Sequence, residues 1–326
     1  MLDYVKHSVI SQLWQDYSTN LLHLSIIQAS LQTQYQEELL AKPGEWILPN
    51  QEELRLDHLA LIDLPGPESG MEVLSRLFSY LGYVTRGQGY LAAKQNNFRW
   101  LAEQSTTPQL AISALPQIVV ADFRREALAP EVLKIIDHYA AFSKPLDNDR
   151  LTFLQEGILQ HDETAANEMI ALMMNYLKGR DWPLPTVNEY EMVKSHNELL
   201  AWVLVRGRQV NHFAWAIHLS KCFSSLEAFN SFLSSSLKIP LNEKGGLIKG
   251  RASQGIKQSS TLAAVKWLKL ADGMIDLPDR FIEFVWRYPK QEGESMLWED
   301  YFTGFIADNA DRVVESLFLT PTWEIN

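Results

Sequence analysis

Two stretches of this sequence set a histidine in the middle of an apolar run of strand length. One is Arg55–Leu64, containing Asp57-His58-Leu59-Ala60; the other is Gln209–His218, containing Asn211-His212-Phe213-Ala214. Successive side chains of a strand point to opposite faces. Leu56, His58, Ala60 and Ile62 therefore share one face, as do Val210, His212, Ala214 and Ala216. A buried imidazole without a partner costs roughly 1–3 kcal/mol, so each histidine needs either a hydrogen-bond partner or a metal. His218 also falls on the face of His212, but six residues of strand span about 20 Å, too far for the pair to share one ion.

The order around the two runs repeats. After the first, Pro65-Gly66-Pro67 closes the strand, and Glu68–Leu81 carries a helical stripe of Met71, Leu74, Leu77, Phe78 and Leu81, with Gly82 as its C-cap. Tyr83–Gln95, with Gly87 and Gly89, suits a hairpin, and Gln109–Phe123 ends in another strand-like run. After the second, Ser225–Leu237 reads as a helix, Leu247–Lys257 and Ala263–Leu270 as strands, Asp272-Gly273 as a turn and Arg280–Arg287 as a final strand. Between the copies, 124–180 has helix-forming composition with polar turns around 144–150, Asp181–Pro185 is a connector, and Asn188–Val205 reads as one helix. Ahead of them, 3–41 has a helical stripe broken at Lys42-Pro43-Gly44. The expected class is α+β, divided into an N-terminal helical segment (1–50), a first β-rich module (51–123), a helical insertion (124–187) and a second β-rich module with its preceding helix (188–326).

Composition narrows the function. Lys plus Arg number 29 and Asp plus Glu 40, a net charge of −11, which disfavours a nucleic-acid partner. Cys222 is the sole cysteine, so neither an internal disulfide nor a cysteine zinc site can form. Polar residues interrupt every early apolar run, and no stretch reaches the ~20 apolar residues of a membrane span, so a cytoplasmic location without membrane partners is expected. Arg86-Gly-Gln-Gly-Tyr90 lacks the third glycine of a dinucleotide loop, and no Gly-Lys-Ser/Thr or Gly-x-Ser-x-Gly motif occurs.

Glu283, inside Phe281-Ile-Glu-Phe-Val-Trp286, is the third residue of interest. An ionised carboxylate among apolar neighbours requires a cation. Arg280 or Arg287 can supply it as an ion pair; a divalent metal is the alternative, because two histidines and one carboxylate form the facial triad that leaves positions open for reactants.

Several segments, in order, resemble the 2-oxoadipate dioxygenase/decarboxylase family, formerly DUF1338. They are Asp57-His58-Leu-Ala-Leu, Asn188–Val205, Gly207-x-x-x-Asn211-His212-Phe, Gln258-Ser-Ser-Thr261, Phe281-Ile-Glu283-Phe-Val-x-Arg-Tyr-Pro289 and Phe302-x-Gly-Phe-Ile306, across about residues 50–320. The resemblance implies a fold related to the vicinal oxygen chelate superfamily, with paired βαβββ modules curved around a metal. It also implies iron(II) held by His58, His212 and Glu283, although another divalent metal can occupy such a site after purification. The implied partners are a 2-oxo acid and O2. The acid binds the metal through carboxylate and keto oxygens, its decarboxylation drives O–O cleavage, and the same molecule is hydroxylated, converting 2-oxoadipate to 2-hydroxyglutarate. Gln258, Ser259, Thr261 and Arg251 are candidates for substrate contacts, and Glu198 follows an acidic position of the family.

One position departs from the family. Where members carry an arginine against the substrate carboxylate, four residues after the first metal histidine, this chain has Ile62. Arg86, Arg208, Arg251 and Lys257 are candidate substitutes. The leading expectation is an iron(II)-dependent oxygenase/decarboxylase of a 2-oxo acid. The alternatives are a metal- or substrate-binding homologue with a changed substrate or lost turnover, and a helix-rich scaffold whose histidines only fill its core.

Overall fold

The computed structural model describes residues 1–19, 21, 23–27, 30, 55–105, 108–220, 222–291 and 297–318. Helix α1 (Leu2–Ser18) comes first; the later part of the 3–41 stripe is largely outside the described residues, as is Lys42-Pro43-Gly44. Then follow β1 (Leu56–Ile62), α2 (Met71–Ser79), β2 (Tyr83–Leu91), β3 (Asn96–Glu103) and β4 (Gln117–Phe123). Helices α3 (Pro130–Ala140), α4 (Asn148–Leu159), α5 (Glu163–Leu177), α6 (Val187–His196) and α7 (Glu198–Arg206) intervene. The second series is β5 (Val210–Ala216), α8 (Leu226–Ser231), β6 (Lys249–Arg251), β7 (Ile256–Ser260), β8 (Val265–Lys269), β9 (Met274–Pro278), β10 (Phe281–Arg287) and α9 (Ala307–Val314).

Eight of these strands form one mixed sheet, curled into a half-barrel, in the order β2-β3-β4-β1-β5-β10-β7-β6. Each half has the same plan: the opening strand lies parallel to the closing one, β1 to β4 and β5 to β10. The halves meet through antiparallel pairing of β1 with β5, which sets the two histidine strands side by side. This is the duplicated α+β arrangement expected from the sequence. The convex face of the central strands, including Leu59, Leu61, Phe213, Trp215, Ile282 and Phe284, is buried in the larger apolar core. There Trp14 of α1 meets Phe213 edge-on at 5.0 Å between ring centroids.

Local readings differ from the structure in several places. Tyr83–Gln95 is not a hairpin but a single strand and the turn after it, paired with β3. Gly87 and Gly89 are there because Trp100 and Phe98, their partners on β3, lay their rings across them; a Cβ at either would fall within 2.1 or 2.5 Å of those rings. Asn188–Val205 is two helices, broken at Asn197, whose extended backbone stops α6 while its side chain accepts from the Leu200 amide to cap α7. The polar residues near 144–150 open a further helix, with Asp147 capping α4. Leu247–Lys257 is split by a 3-10 turn at Ala252–Gln254. Ala263–Leu270 contributes β8, which pairs with β9 as a separate two-stranded hairpin outside the main sheet. The strand holding His212 ends at Ala216, so His218 lies in the turn beyond it.

Arg208 ties the two halves together. Its Nε donates to Asp63 Oδ2 at 2.9 Å, and its Nη2 donates to Asp181 Oδ2 at 2.9 Å and Ser143 Oγ at 3.1 Å. Asp63 follows β1 and Arg208 precedes β5, and both side chains are fully buried. Removing one partner of such a pair leaves an uncompensated charge in the interior. Arg208→Met is therefore expected to lower stability by about 3–5 kcal/mol in urea denaturation; a loss under about 1 kcal/mol would show that the clamp contributes little.

Candidate metal centre

The pairing of β1 with β5, and of β5 with β10, brings His58, His212 and Glu283 together on the concave face. Their ligand-capable atoms lie within 4.8 Å of one another, and all three residues are buried. Glu283 Oε2 is 3.4 Å from His58 Nε2 and 3.2 Å from His212 Nε2. Donors bound to one ion at about 2.1 Å and at right angles stand about 3.0 Å apart, so this spacing fits a shared metal. The other carboxylate oxygen, Oε1, accepts a 2.7 Å hydrogen bond from Gln258 Nε2, which leaves Oε2 to face the imidazoles.

The orientation of both rings is built in by the same device. The β1–β5 register slips between Leu56 and His58 on one strand and, opposite Ala60/Leu61, between His212 and Val210 on the other. The extra residues are Asp57 and Asn211. A bulge lets consecutive side chains escape strict alternation. Asp57 Oδ1 thus reaches His58 Nδ1 at 2.8 Å, and Asn211 Oδ1 reaches His212 Nδ1 at 2.9 Å. With Nδ1 donating to these oxygens, each Nε2 is turned towards Glu283. Asp57 is itself held by Arg287, which donates through Nε and Nη2 at 2.6 and 2.8 Å. Arg287 Nη1 also donates to the carbonyls of Phe302 and Gly304 at 2.8 and 2.9 Å, fixing the segment that presses Phe305 edge-on against His58.

Electrostatics follow from this geometry. Burial alone lifts a carboxyl, but the two imidazoles outweigh it and hold Glu283 down to about 2. Burial depresses His58, yet the carboxylates of Glu283 and Asp57 overcome that and raise it to about 9. Burial keeps His212 below its ordinary value, and the charge on His58 adds to the effect. For Asp57, Arg287 and His58 outweigh burial and leave it well below the usual carboxylate range. The expected alternative of an ion pair between Glu283 and Arg280 or Arg287 is not what the structure holds: Arg287 binds Asp57, and Arg280 lies beside Asp279. With a metal in place of the His58 proton, two neutral imidazoles and one carboxylate would suit a divalent ion of intermediate softness.

A small cavity of about 50 Å³ adjoins the three donors, lined by His58, His212, Glu283, Gln258 and Ile62 among others. Helix α9 roofs it with Ala310, Val313 and Val314. Of the expected substrate contacts, Gln258 and Ile62 line this space and three others do not. Ser259 alternates to the opposite face, where its hydroxyl donates to Asn230 Oδ1 at 2.8 Å. Thr261 lies past the end of β7, and its Oγ1 accepts from the Ile282 amide at 3.1 Å. Arg251 is exposed on the edge strand. None of the candidate substitute cations reaches the cavity: Arg86 donates to the Glu103 carbonyl, Arg208 is in its clamp, and Lys257 pairs with Glu227. Glu198 lines a separate surface groove with Lys94 and His196.

The sequence profile of the 2-oxoadipate dioxygenase/decarboxylase family matches residues 9–294. The chain belongs to that family. Among curated family members, the chloroplastic 2-oxoadipate dioxygenase/decarboxylase of Arabidopsis thaliana is 25% identical over 280 residues, 82% of this chain and 70% of the relative. The chloroplastic/amyloplastic enzyme of Oryza sativa subsp. japonica is 25% identical over 273 residues, 80% of this chain and 68% of the relative. The fold matches the crystal structure of the hydroxyglutarate synthase from Oryza sativa, solved with 2-oxoadipate, at a TM-score of 0.70 and 22% identity, covering 97% of this chain and 92% of that one. It also matches a glyoxalase-superfamily protein from Ralstonia eutropha JMP134, at a TM-score of 0.58 and 20% identity, covering 84% and 79% of the two chains. Among the described residues, no helix is long and apolar enough to cross a membrane.

Sequence reading missed the roles of Asp57 and Asn211, although the signal was present as an oxygen-bearing residue directly before each histidine. Asn211→Ala removes the acceptor that orients His212. It is expected to weaken divalent-metal affinity about 10–100-fold in chelator competition, with the fold retained. Unchanged affinity would show that packing alone orients the ring.

Proposed function

We propose that this chain is an iron(II)-dependent oxygenase that decarboxylates and hydroxylates a 2-oxo carboxylic acid with O2, as 2-oxoadipate dioxygenase/decarboxylases do with 2-oxoadipate. The observation carrying this reading is the convergence of His58, His212 and Glu283 beside a cavity, in a chain of that family. When bound, iron supplies the activation of O2 and couples its reduction to loss of CO2 from the acid.

The residues of this chain supply the setting. Asp57 and Asn211 keep a lone pair on each Nε2 directed inward. Gln258 occupies one oxygen of Glu283, so the carboxylate offers the other as a single donor. His58, His212 and Glu283 would hold the metal with three donors, and the cavity beside them is where the acid would bind. Phe305 and helix α9 line the cavity with apolar groups, which limits water beside the centre. The described parts of the N-terminal segment (1–50) and of the helical insertion (124–187) pack into the same cores as the sheet, and we propose that they brace the two β-rich modules, 51–123 and 188–326. We propose a cytoplasmic location for this chain; the names of the plant relatives place those proteins in plastids.

Glu283→Ala removes the anionic donor and leaves two imidazoles. Iron content after anaerobic loading and desalting is expected to fall from about one per chain to background, with O2 uptake lost and circular dichroism unchanged. Stoichiometric iron in the variant would contradict the ligand assignment. A wild-type protein that binds iron but consumes no O2 with any 2-oxo acid would favour a binding homologue instead.

A further inference from the structure

We infer that the acid processed here is a monoanion with a compact, uncharged side chain, R–CH2–CO–COO⁻, and not a dicarboxylate. The inference rests on the proposed metal-dependent reading and specifies the far end of its substrate.

Charge counting gives the first argument. A divalent ion plus ionised Glu283 leaves one net positive charge, while Asp57 and Arg287 cancel each other. One substrate carboxylate neutralises the remainder. A second carboxylate would place an unmatched negative charge inside the protein, which is strongly unfavourable without a cation.

Among the described residues the cavity holds no such cation. Beyond the donors its wall includes Ile62, Phe98, Val119, Phe305, Val313 and Val314, and among the described residues no lysine or arginine lines it. Its other polar side chains are neutral and their amide donors are engaged: Asn96 Nδ2 donates to the Asp122 carbonyl at 2.8 Å, and Gln258 Nε2 donates to Glu283, leaving Gln258 with only a buried acceptor oxygen, Oε1, without a partner. Nearby cations are also committed. Arg287 is saturated by Asp57, Gln117 and two carbonyls, and Lys94 pairs with Glu315 at 2.6 Å. Lys249, opposite Gln258 on β6, is buried and donates to the Asn242 carbonyl, outside the cavity lining. The cavity is small, about 50 Å³, which favours a compact side chain.

The reaction balances as R–CH2–CO–COO⁻ + O2 → R–CH(OH)–COO⁻ + CO2. The C1–C2 bond breaks and CO2 leaves. One oxygen atom of O2 enters the new carboxylate and the other the hydroxyl at the former C3. Two electrons come from the broken C1–C2 bond and two from the C3–H bond, and together they reduce O2.

The test compares 2-oxohexanoate with 2-oxoadipate, acids of equal carbon number that differ in a terminal methyl or carboxylate. With wild type loaded anaerobically with iron(II), kcat/KM from O2 uptake and CO2 release is expected to favour 2-oxohexanoate by about tenfold or more. Equal or better use of 2-oxoadipate overturns the inference, and loss of that advantage in Lys249→Met would identify the cation. If neither acid is turned over, anaerobic calorimetry of the iron-loaded protein decides: tighter 2-oxohexanoate binding supports the inference, whereas tighter or equal 2-oxoadipate binding, or no binding of either, overturns it. Failure to bind iron would instead reject the underlying reading, and the inference with it. Ile62→Arg is expected to shift the selectivity towards 2-oxoadipate about tenfold or more, and an unchanged ratio in a folded variant would remove Ile62 from the specificity wall.

Discussion

A carboxylate sealed inside a protein must be matched by positive charge, and the structure around Glu283 is organised by that requirement. The carboxylate is buried on the last strand of the sheet to be added, with apolar neighbours before and after it in the chain. Both buried arginines of its own strand region are turned to other acids. The two imidazoles face its free oxygen, and the carboxylates of Glu283 and Asp57 raise His58 to about 9. A divalent ion held by the same three side chains would meet the need for positive charge.

The sheet brings the three donors together through its duplicated plan. Pairing like strands from two halves, β1 with β5, sets equivalent positions opposite one another, and the parallel neighbour β10 adds the acid from the next strand. Each half also contributes one bulge residue that holds its own histidine, Asp57 in the first and Asn211 in the second. The two differ in charge. Asp57 is ionised and tied to Arg287, so the first histidine is linked to the segment carrying Phe305, while the neutral Asn211 makes no such connection in the described contacts. The two halves match in their donors, and the difference between Asp57 and Asn211 joins only one histidine to the cover of the cavity.

Much of this was legible from residue pattern. Histidines in mid-strand and a glutamate between phenylalanines stand out because polar groups in such company demand partners, and the repeated strand–helix–strand order placed the histidines on equivalent strands. What the sequence concealed were effects of tertiary contact. Gly87 and Gly89 look like turn residues, yet they are mid-strand because rings on the adjacent strand occupy the space a side chain would need. Asn197 lies within a continuous helical stripe but breaks it, since its amide caps the next helix and donates to the Lys94 carbonyl. Ser259 and Arg251 resemble substrate contacts in linear order; strand alternation and the edge position of β6 send them elsewhere. The apolar end of the cavity could not be read at all, because Phe98, Val119 and Val313 are assembled there from three separate segments.

The most direct measurement is an anaerobic crystal structure of the iron(II)-loaded protein, with anomalous differences recorded on both sides of the iron absorption edge. The account predicts one strong peak, about 2.0–2.3 Å from His58 Nε2, His212 Nε2 and Glu283 Oε2, with further positions open towards the cavity. A peak bound by other residues, or a site that stays without iron at full loading while those three side chains keep their places, would contradict it.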